Sequence, residues 1–263
     1  MIRAKKSLGQ HFLVDPAVVD QIIAAIDPHP GETILEIGPG EGVLTLPLIA
    51  SGASIVGVEL DRRLAPQLAR AFAGYGNFRV IEADILSVDP AAVGLDRFAL
   101  LGNLPYNITT PVMDWLLTYH DVIDRAVLMM QKEVAARVAS PPGKRDRSTI
   151  SVLTSLYYDC QVVCTVPPSA FRPRPRVDSA VARFTRHGRS YPIDNLPRFE
   201  KFVRFCFASK RKTLLNNLNA AYPIPRDELE AMIVAMFDSP TIRAEQLELE
   251  SFFTLDKAVL ARL

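Results

Sequence analysis

Cysteine is scarce in this chain of 263 residues. Cys160, Cys164 and Cys206 are too few for a disulfide framework or a four-ligand zinc set. Their spacing fits reduced, partly buried thiols, and no metal is expected. Net charge is nearly absent as well: at +1 the total argues nothing about polyanions. No apolar run reaches the roughly 18 residues of a membrane span, so none is expected. The N-terminal stretch "MIRAKKSLGQHFL" is basic but lacks the apolar core of a signal peptide. A cytoplasmic protein without a membrane partner is expected. Internal repeats and long low-complexity segments are also missing.

What is present is an ordered alternation. "ETILEIG" (32–38), "SIVGVEL" (54–60), "FRVIEAD" (78–84), "FALLGNL" (98–104) and "RAVLMMQ" (125–131) read as buried strands. Helical stretches fall between them at 41–52, 62–74 and 109–120, with "KEVAARVA" following the fifth strand. Strands alternating with helices predict an α/β fold with a mostly parallel sheet covered on both faces. A helix over 149–159 is expected, then two strands, "CQVVCTV" and "SAVARFT", around a proline-rich loop. From about residue 190 the pattern is helical only. The expected division is a Rossmann-like domain over 1–188 and a small all-helical domain over 189–263.

Charge is unevenly placed. Residues 171–212 carry +9, which leaves −8 on the rest. Such asymmetry is the footprint of a polyanion-binding face.

The turn "EIGPGEG" (36–42) joins the first strand to the first helix, where glycines let a ligand approach the backbone. Its spacing is not the G-x-G-x-x-G of nicotinamide enzymes, and no hydride-transfer apparatus is visible. Glu59 ends the second strand, 21 residues after Gly38, placed to accept from both hydroxyls of a ribose. Asp84 ends the third strand and Asn103 the fourth. In an open parallel sheet these ends line one crevice, which suits an adenosine-containing ligand.

The stretch "LLGNLPYNIT" (100–109) leaves a buried strand through a stiff, polar, aromatic corner. If the ligand is S-adenosylmethionine, its methyl needs only an in-line nucleophile about 3 Å away. An exocyclic adenine amine is a poor nucleophile, because its lone pair is delocalised into the ring. The side-chain oxygen of Asn103 and the carbonyl of Leu104 can hold its hydrogens and favour a tetrahedral nitrogen. Pro105 keeps the turn rigid and offers no competing donor. Tyr106 offers a face for a flipped-out base, worth about 1–3 kcal/mol.

"GQHFL" (9–13), "EIGPGEGVLT" (36–45), "GVELD" (57–61), "NLPYNIT" (103–109), "FRPRPRVDSA" (171–180) and "KRKTLLNNL" (210–218) resemble the KsgA/RsmA small-subunit ribosomal RNA adenine dimethyltransferases over essentially the whole chain. The resemblance implies a class I methyltransferase fold and S-adenosylmethionine as cofactor. It implies N6,N6-dimethylation of two adjacent adenosines near the 3′ end of 16S ribosomal RNA, in the 30S subunit late in assembly. It also implies that His11 and Leu13 line the cofactor from the N-terminal arm. Gly38 would approach its methionine end, Glu59 would hold its ribose, Asp84 its adenine amine, and Asn103 both cofactor and target. Many relatives have asparagine where this chain has His11, a side chain that can titrate near neutrality. Phe171 would stack on the target base opposite Tyr106.

Arg172, Arg174 and Arg176 alternate with prolines that keep their loop extended, poised for phosphates. Lys210, Arg211 and Lys212 open a helix expected to present charge to RNA. Lys5, Lys6, Lys144, Arg145 and Arg147 extend the same basic set. Nothing calls for an obligate dimer, and a monomer is expected. Three rival readings share parts of this pattern. Large-subunit ribosomal RNA dimethylases of the antibiotic-resistance type share "NLPY". A mainly RNA-binding assembly factor would need no catalysis. DNA-adenine and protein-glutamine methyltransferases favour a second proline where Leu104 stands.

Overall fold

A computed structural model describes residue 5 and residues 8–263; Lys6 lies outside the described residues. The chain packs as two units, one of residues up to Ala135 with Tyr158–His187, the other of Ala136–Tyr157 with Gly188–Leu263. This differs from the expected division in one segment: Ala136–Tyr157 goes with the helices. The cause is local bonding inside the second unit. The Ser151 hydroxyl donates to the Arg137 carbonyl (2.6 Å), and the Gly143 N–H donates to the Glu245 carbonyl (2.9 Å).

The first unit comprises β1 (Phe12–Leu13), α1 (Pro16–Ile26), β2 (Thr33–Ile37), α2 (Thr45–Ala50), β3 (Ser54–Glu59), α3 (Ala65–Ala71), β4 (Phe78–Glu82), β5 (Phe98–Asn103), α4 (Thr109–Thr118), β6 (Ile123–Gln131), the start of α5 (Lys132–Val138), β7 (Tyr158–Val166), β8 (Phe171–Arg172) and β9 (Ser179–Arg186). Seven strands form one sheet in the order β4-β3-β2-β5-β6-β9-β7. The five from β4 to β6 run parallel; β9 is antiparallel to β6 and β7 to β9. β2 and β5 are near-continuous apolar runs, as strands buried on both faces must be, and Leu35, Leu100 and Leu101 are fully buried. Chain order reverses between β2 and β5, so β3 and β4 lie to one side and β5 and β6 to the other. A ligand crevice forms at such a reversal, outside the carboxyl ends of the strands.

Two elements differ from the expected pattern. Helix α1 has no counterpart there, yet its signals are present. Asp15 caps it by accepting from the Ala17 N–H (3.0 Å), and Pro16 takes the first helical position. Val18, Val19, Ile22, Ala25 and Ile26 recur at helical spacing and are buried. The helix expected over 149–159 stops at Thr154, because Tyr158 already belongs to β7. Its buried ring meets Phe184 edge-on (6.4 Å), and its hydroxyl donates to the Ile123 carbonyl (3.2 Å).

The second unit comprises α6 (Thr149–Thr154), α7 (Leu196–Cys206), α8 (Leu214–Ala221), α9 (Arg226–Phe237) and α10 (Leu249–Leu260). α7 buries Phe199, Phe202, Val203 and Cys206 on one face, with Phe199 5.1 Å from Phe253 of α10. The expected continuation of α7 into α8 is broken by a turn. Asn217, 4 % exposed, stitches that turn: its Nδ2 donates to the carbonyls of Cys206 (2.7 Å) and Ser209 (3.2 Å), and its Oδ1 accepts from the Ser209 N–H (3.2 Å). Lys210, Arg211 and Lys212 therefore sit in the turn and not on a helix; α8 starts at Leu214, capped by Thr213. Among the described residues, no helix is long and apolar enough to cross a membrane.

Candidate active site

The crevice at the strand ends begins with the glycine turn. The chain leaves β2 at Ile37, and the Gly38 N–H donates back to the Val58 carbonyl (2.9 Å) on β3. Gly38 has φ +62°, a left-handed conformation that favours glycine. Nothing lies within 4 Å of where its Cβ would stand, so the space before the turn is open backbone cradle. The turn lies close on β3 because Gly57 has no side chain: a Cβ there would come within 2.8 Å of the Pro39 ring.

Three carboxylates surround this turn. Glu59, at the end of β3, is 5 % exposed. Its Oε2 accepts from the Gly40 N–H (3.0 Å) and its Oε1 from the Asp61 N–H (2.9 Å). Burial raises its pKa above the ordinary carboxylate value, against the lowering effect of these two bonds. Each carboxylate oxygen retains a second lone pair for a ligand hydroxyl. Glu36, within β2, is 2 % exposed and accepts from the Thr45 hydroxyl (2.7 Å). Burial pushes it up to about 7, and the neighbouring Glu59 adds to the rise. Asp84 stands exposed after β4, its Oδ1 accepting from the Leu86 N–H (3.0 Å).

The Asn103 corner forms the facing wall. Gly102, just before it, fits only because it lacks a side chain: a Cβ would meet Leu104 at 3.0 Å and Ile37 at 3.1 Å. The Leu104 N–H donates to the Met129 carbonyl (3.0 Å), which pins the corner to β6. The Asn103 Nδ2 donates to the His11 carbonyl (3.1 Å). That bond orients the amide and leaves Oδ1 available as an acceptor. The Tyr106 hydroxyl bonds to the Ser179 hydroxyl (2.8 Å), and its ring stacks on His11 (5.8 Å between centroids, 27° between planes). His11 Nδ1 is 2.7 Å from the Pro173 carbonyl. A carbonyl can only accept, so Nδ1 carries the hydrogen.

The N-terminal arm completes the crevice. β1 pairs antiparallel with β8, placing Leu13 opposite Phe171 and Phe12 opposite Arg172. The resulting space is about 800 Å³, counted with its open mouth. His11, Gly38, Glu59, Asp84, Asn103, Leu104, Pro105, Tyr106 and Phe171 all line it. Leu13 does not: it is 4 % exposed and belongs to the core with Val18, Ile22 and Phe171. Phe171 is itself only 2 % exposed, so it offers the crevice little more than an edge. Arg172, Arg174 and Arg176 are exposed on the first unit, and Lys210, Arg211 and Lys212 are exposed on the second. Lys5, Lys144 and Arg145 are exposed as well. Arg147 departs from that set: it is 4 % exposed and turned toward the charges of Glu248 and Glu250, so it is no surface phosphate contact. Among the described residues, no group of three or more His, Cys, Asp or Glu is placed to hold a metal.

Sequence reasoning assigned nothing to Gln10, Asp61, Glu36 or Ser179. The Gln10 Nε2 donates to Asp61 Oδ2 (3.0 Å) across 51 residues of chain, a contact no spacing rule reveals. The available signal was that Gln10 and Asp61 both stand inside the motif stretches "GQHFL" and "GVELD".

Residues 1–258 match the family described as ribosomal RNA adenine dimethylase. A ribosomal RNA small subunit methyltransferase A from Xanthomonas campestris pv. campestris is 40% identical over 260 residues, 98% of this chain and 97% of the relative. Among solved structures, a dimethyladenosine transferase from Plasmodium falciparum superposes with a TM-score of 0.78 at 27% identity, covering 93% of this chain and 96% of the other. The 23S rRNA methyltransferase ErmE superposes with a TM-score of 0.73 at 28% identity, covering 94% and 99%.

Proposed function

The chain belongs to the ribosomal RNA adenine dimethylase family, and on that premise we propose how its crevice works and which RNA it serves. It is an S-adenosylmethionine-dependent enzyme that dimethylates adenine N6 in ribosomal RNA. Its substrate is the small-subunit RNA, on which it modifies two adjacent adenosines near the 3′ end of 16S RNA. Support comes from 40% identity over nearly the whole chain to a small-subunit enzyme.

The observation that carries the reading is the Asn103 corner, fixed at the mouth of a crevice whose far wall is a glycine turn and a buried acid. S-adenosylmethionine, when bound, supplies a methyl on a positively charged sulfur. The residues of the crevice suit such a ligand. The open cradle at Gly38 admits a chain lying against backbone, and Glu59 can accept from ribose hydroxyls. Asp84, exposed at the crevice, can accept from an adenine amine. At the corner, Asn103 Oδ1 accepts one hydrogen of the target amine and the Leu104 carbonyl the other. One of its own amide hydrogens is engaged by the His11 carbonyl, so Asn103 meets the amine already oriented. Tyr106 carries the target base on its face, held in place through Ser179. No strong base is needed, because the amine becomes acidic as it gains the methyl.

The exposed arginines of the 172–176 loop and the basic turn at 210–212 bind RNA phosphates. The substrate is the small subunit late in assembly, and the protein works on it as a cytoplasmic monomer. The test is to offer labelled S-adenosylmethionine with small subunits lacking these methyls and with large subunits, then analyse the nucleosides. Dimethyladenosine on paired small-subunit adenines is expected. Label confined to the large subunit would overturn the assignment. Small subunits bound but never labelled would favour the assembly-factor reading.

A further inference from the structure

Asp61 is a junction that the reaction as described leaves unused. Its side chain is 2 % exposed, two residues beyond Glu59. Arg63 holds it from two sides, Nε on Oδ1 (3.0 Å) and Nη2 on Oδ2 (2.6 Å). This pairing keeps the carboxyl far below the usual carboxylate range, with Gln10 contributing. Oδ2 also accepts from Gln10 Nε2 (3.0 Å). The Gln10 amide cannot be turned the other way, because its Oε1 accepts from the Lys5 N–H (2.7 Å). Finally, the Asp61 N–H is one of the two donors that fix Glu59. One residue thus bonds the arm through its carboxylate and the acid of the crevice through its backbone N–H.

Elsewhere among the described residues the arm is tied by Asn103 to the His11 carbonyl, by His11 Nδ1 to the Pro173 carbonyl, by the Val14 N–H to the Ala170 carbonyl, and by the short β1–β8 pairing. Those lie at the corner and at the Phe171 loop. Gln10 is the tie to the β3 side, where Glu59 stands.

We infer that Gln10, Asp61 and Arg63 are positioning residues that latch the N-terminal arm against the β3 side of the crevice, and that this latch governs retention of the cofactor. The inference rests on the cofactor reading above. Arg63 keeps Asp61 ionised and aimed; Asp61 then holds Gln10 and Glu59 together. Opening the latch frees the arm beside the Glu59 wall, while Asn103 and Tyr106 keep their own bonds to the His11 carbonyl and the Ser179 hydroxyl.

The test is cofactor binding and release by the full-length protein, using S-adenosylmethionine, in Gln10→Ala and Gln10→Glu. Gln10→Ala should weaken cofactor binding about tenfold, the size of one hydrogen bond to a charged group, mostly through faster release. The turnover at saturating cofactor should stay within about twofold, so KM rises and kcat does not fall. Gln10→Glu keeps size but sets a second carboxylate against Asp61, so it should weaken binding more than alanine does. A role in packing alone would make the near-isosteric Gln10→Glu the milder change. Asp61→Asn should act in the same direction, and Gln10 variants suffice if that protein fails to fold. Wild-type affinity and release in both Gln10 variants would overturn the latch while leaving the cofactor site standing. Lost kcat with unchanged affinity would overturn it too. A wild-type protein that binds no S-adenosylmethionine would overturn the latch and the function proposed above together.

Discussion

Glu59 and Arg174 are both charged, and both belong to the proposed business with cofactor and RNA. Glu59 is 5 % exposed and accepts two backbone hydrogen bonds. Arg174 is exposed on the first unit. The same contrast separates the whole crevice from the basic surfaces. Asn103, Asp61 and Tyr106 are each fixed by named partners before any ligand arrives. The arginines and lysines of 172–176 and 210–212 stand exposed to solvent. A pre-bonded group in a poorly solvated wall passes its loss on in full, whereas a solvated cation is screened and replaceable. Chemistry should therefore depend on single crevice residues, and RNA affinity on a sum of many weak ones.

The sharpest way to break that contrast is Asn103→Ala. Turnover should fall on the order of 10²-fold or more, with cofactor and RNA still bound, as for loss of one positioned polar group. A rate near wild type in a transfer assay would remove Asn103 from the chemistry. Next in size is Glu59→Ala, which should weaken cofactor binding by roughly tenfold or more, since it also frees the Gly40 and Asp61 N–H groups. Calorimetric titration returning wild-type affinity would reject the ribose assignment.

Glu36 tests how dry the wall is. The folded protein holds its proton up to about 7, while the unfolded chain releases it near the ordinary 4.5. A raised folded-state value means that the stability contribution is fully present below about pH 4.5 and is lost as pH rises through about 7. Wild-type stability should thus decline from pH 5 to pH 8 by up to roughly 3 kcal/mol from this group. Glu36→Gln should remove that decline, as read from urea midpoints at the two pH values. A variant that keeps the wild-type slope would mean that Glu36 is solvated. The smallest effect belongs to the surface. Arg174→Ala alone should weaken subunit binding only about two- to fivefold and lower the logarithmic salt slope by roughly one. A hundredfold loss, or an unchanged slope, would erase the contrast between the two regions.

The sheet and most of the crevice were legible in the sequence because their signals are local. Buried parallel strands read as apolar runs, and a polar residue at the end of each run points to the same edge. Asn103, Glu59 and Asp84 were found this way. Local patterning missed whatever depends on distant partners. Leu13 was placed on the cofactor wall, but its pairing with Phe171 takes it into the core. Arg147 reads as one more surface cation, but burial near Glu248 and Glu250 sets it apart. The basic turn at 210–212 looked helical, because nothing in "KRKTLLNN" announces that Asn217 folds back onto the carbonyls of Cys206 and Ser209. Asp61 stands within a motif stretch, but its partner Gln10 lies 51 positions away, beyond the reach of local patterning.

The most direct measurement is a structure of the protein with S-adenosylhomocysteine bound. The ribose hydroxyls should lie within hydrogen-bonding distance of Glu59, the amino-acid end against the Gly38 turn, and the sulfur facing the Asn103 corner. A ligand seated elsewhere, or one whose sulfur turns away from Asn103, would contradict the claim that a single crevice brings methyl donor and target amine together.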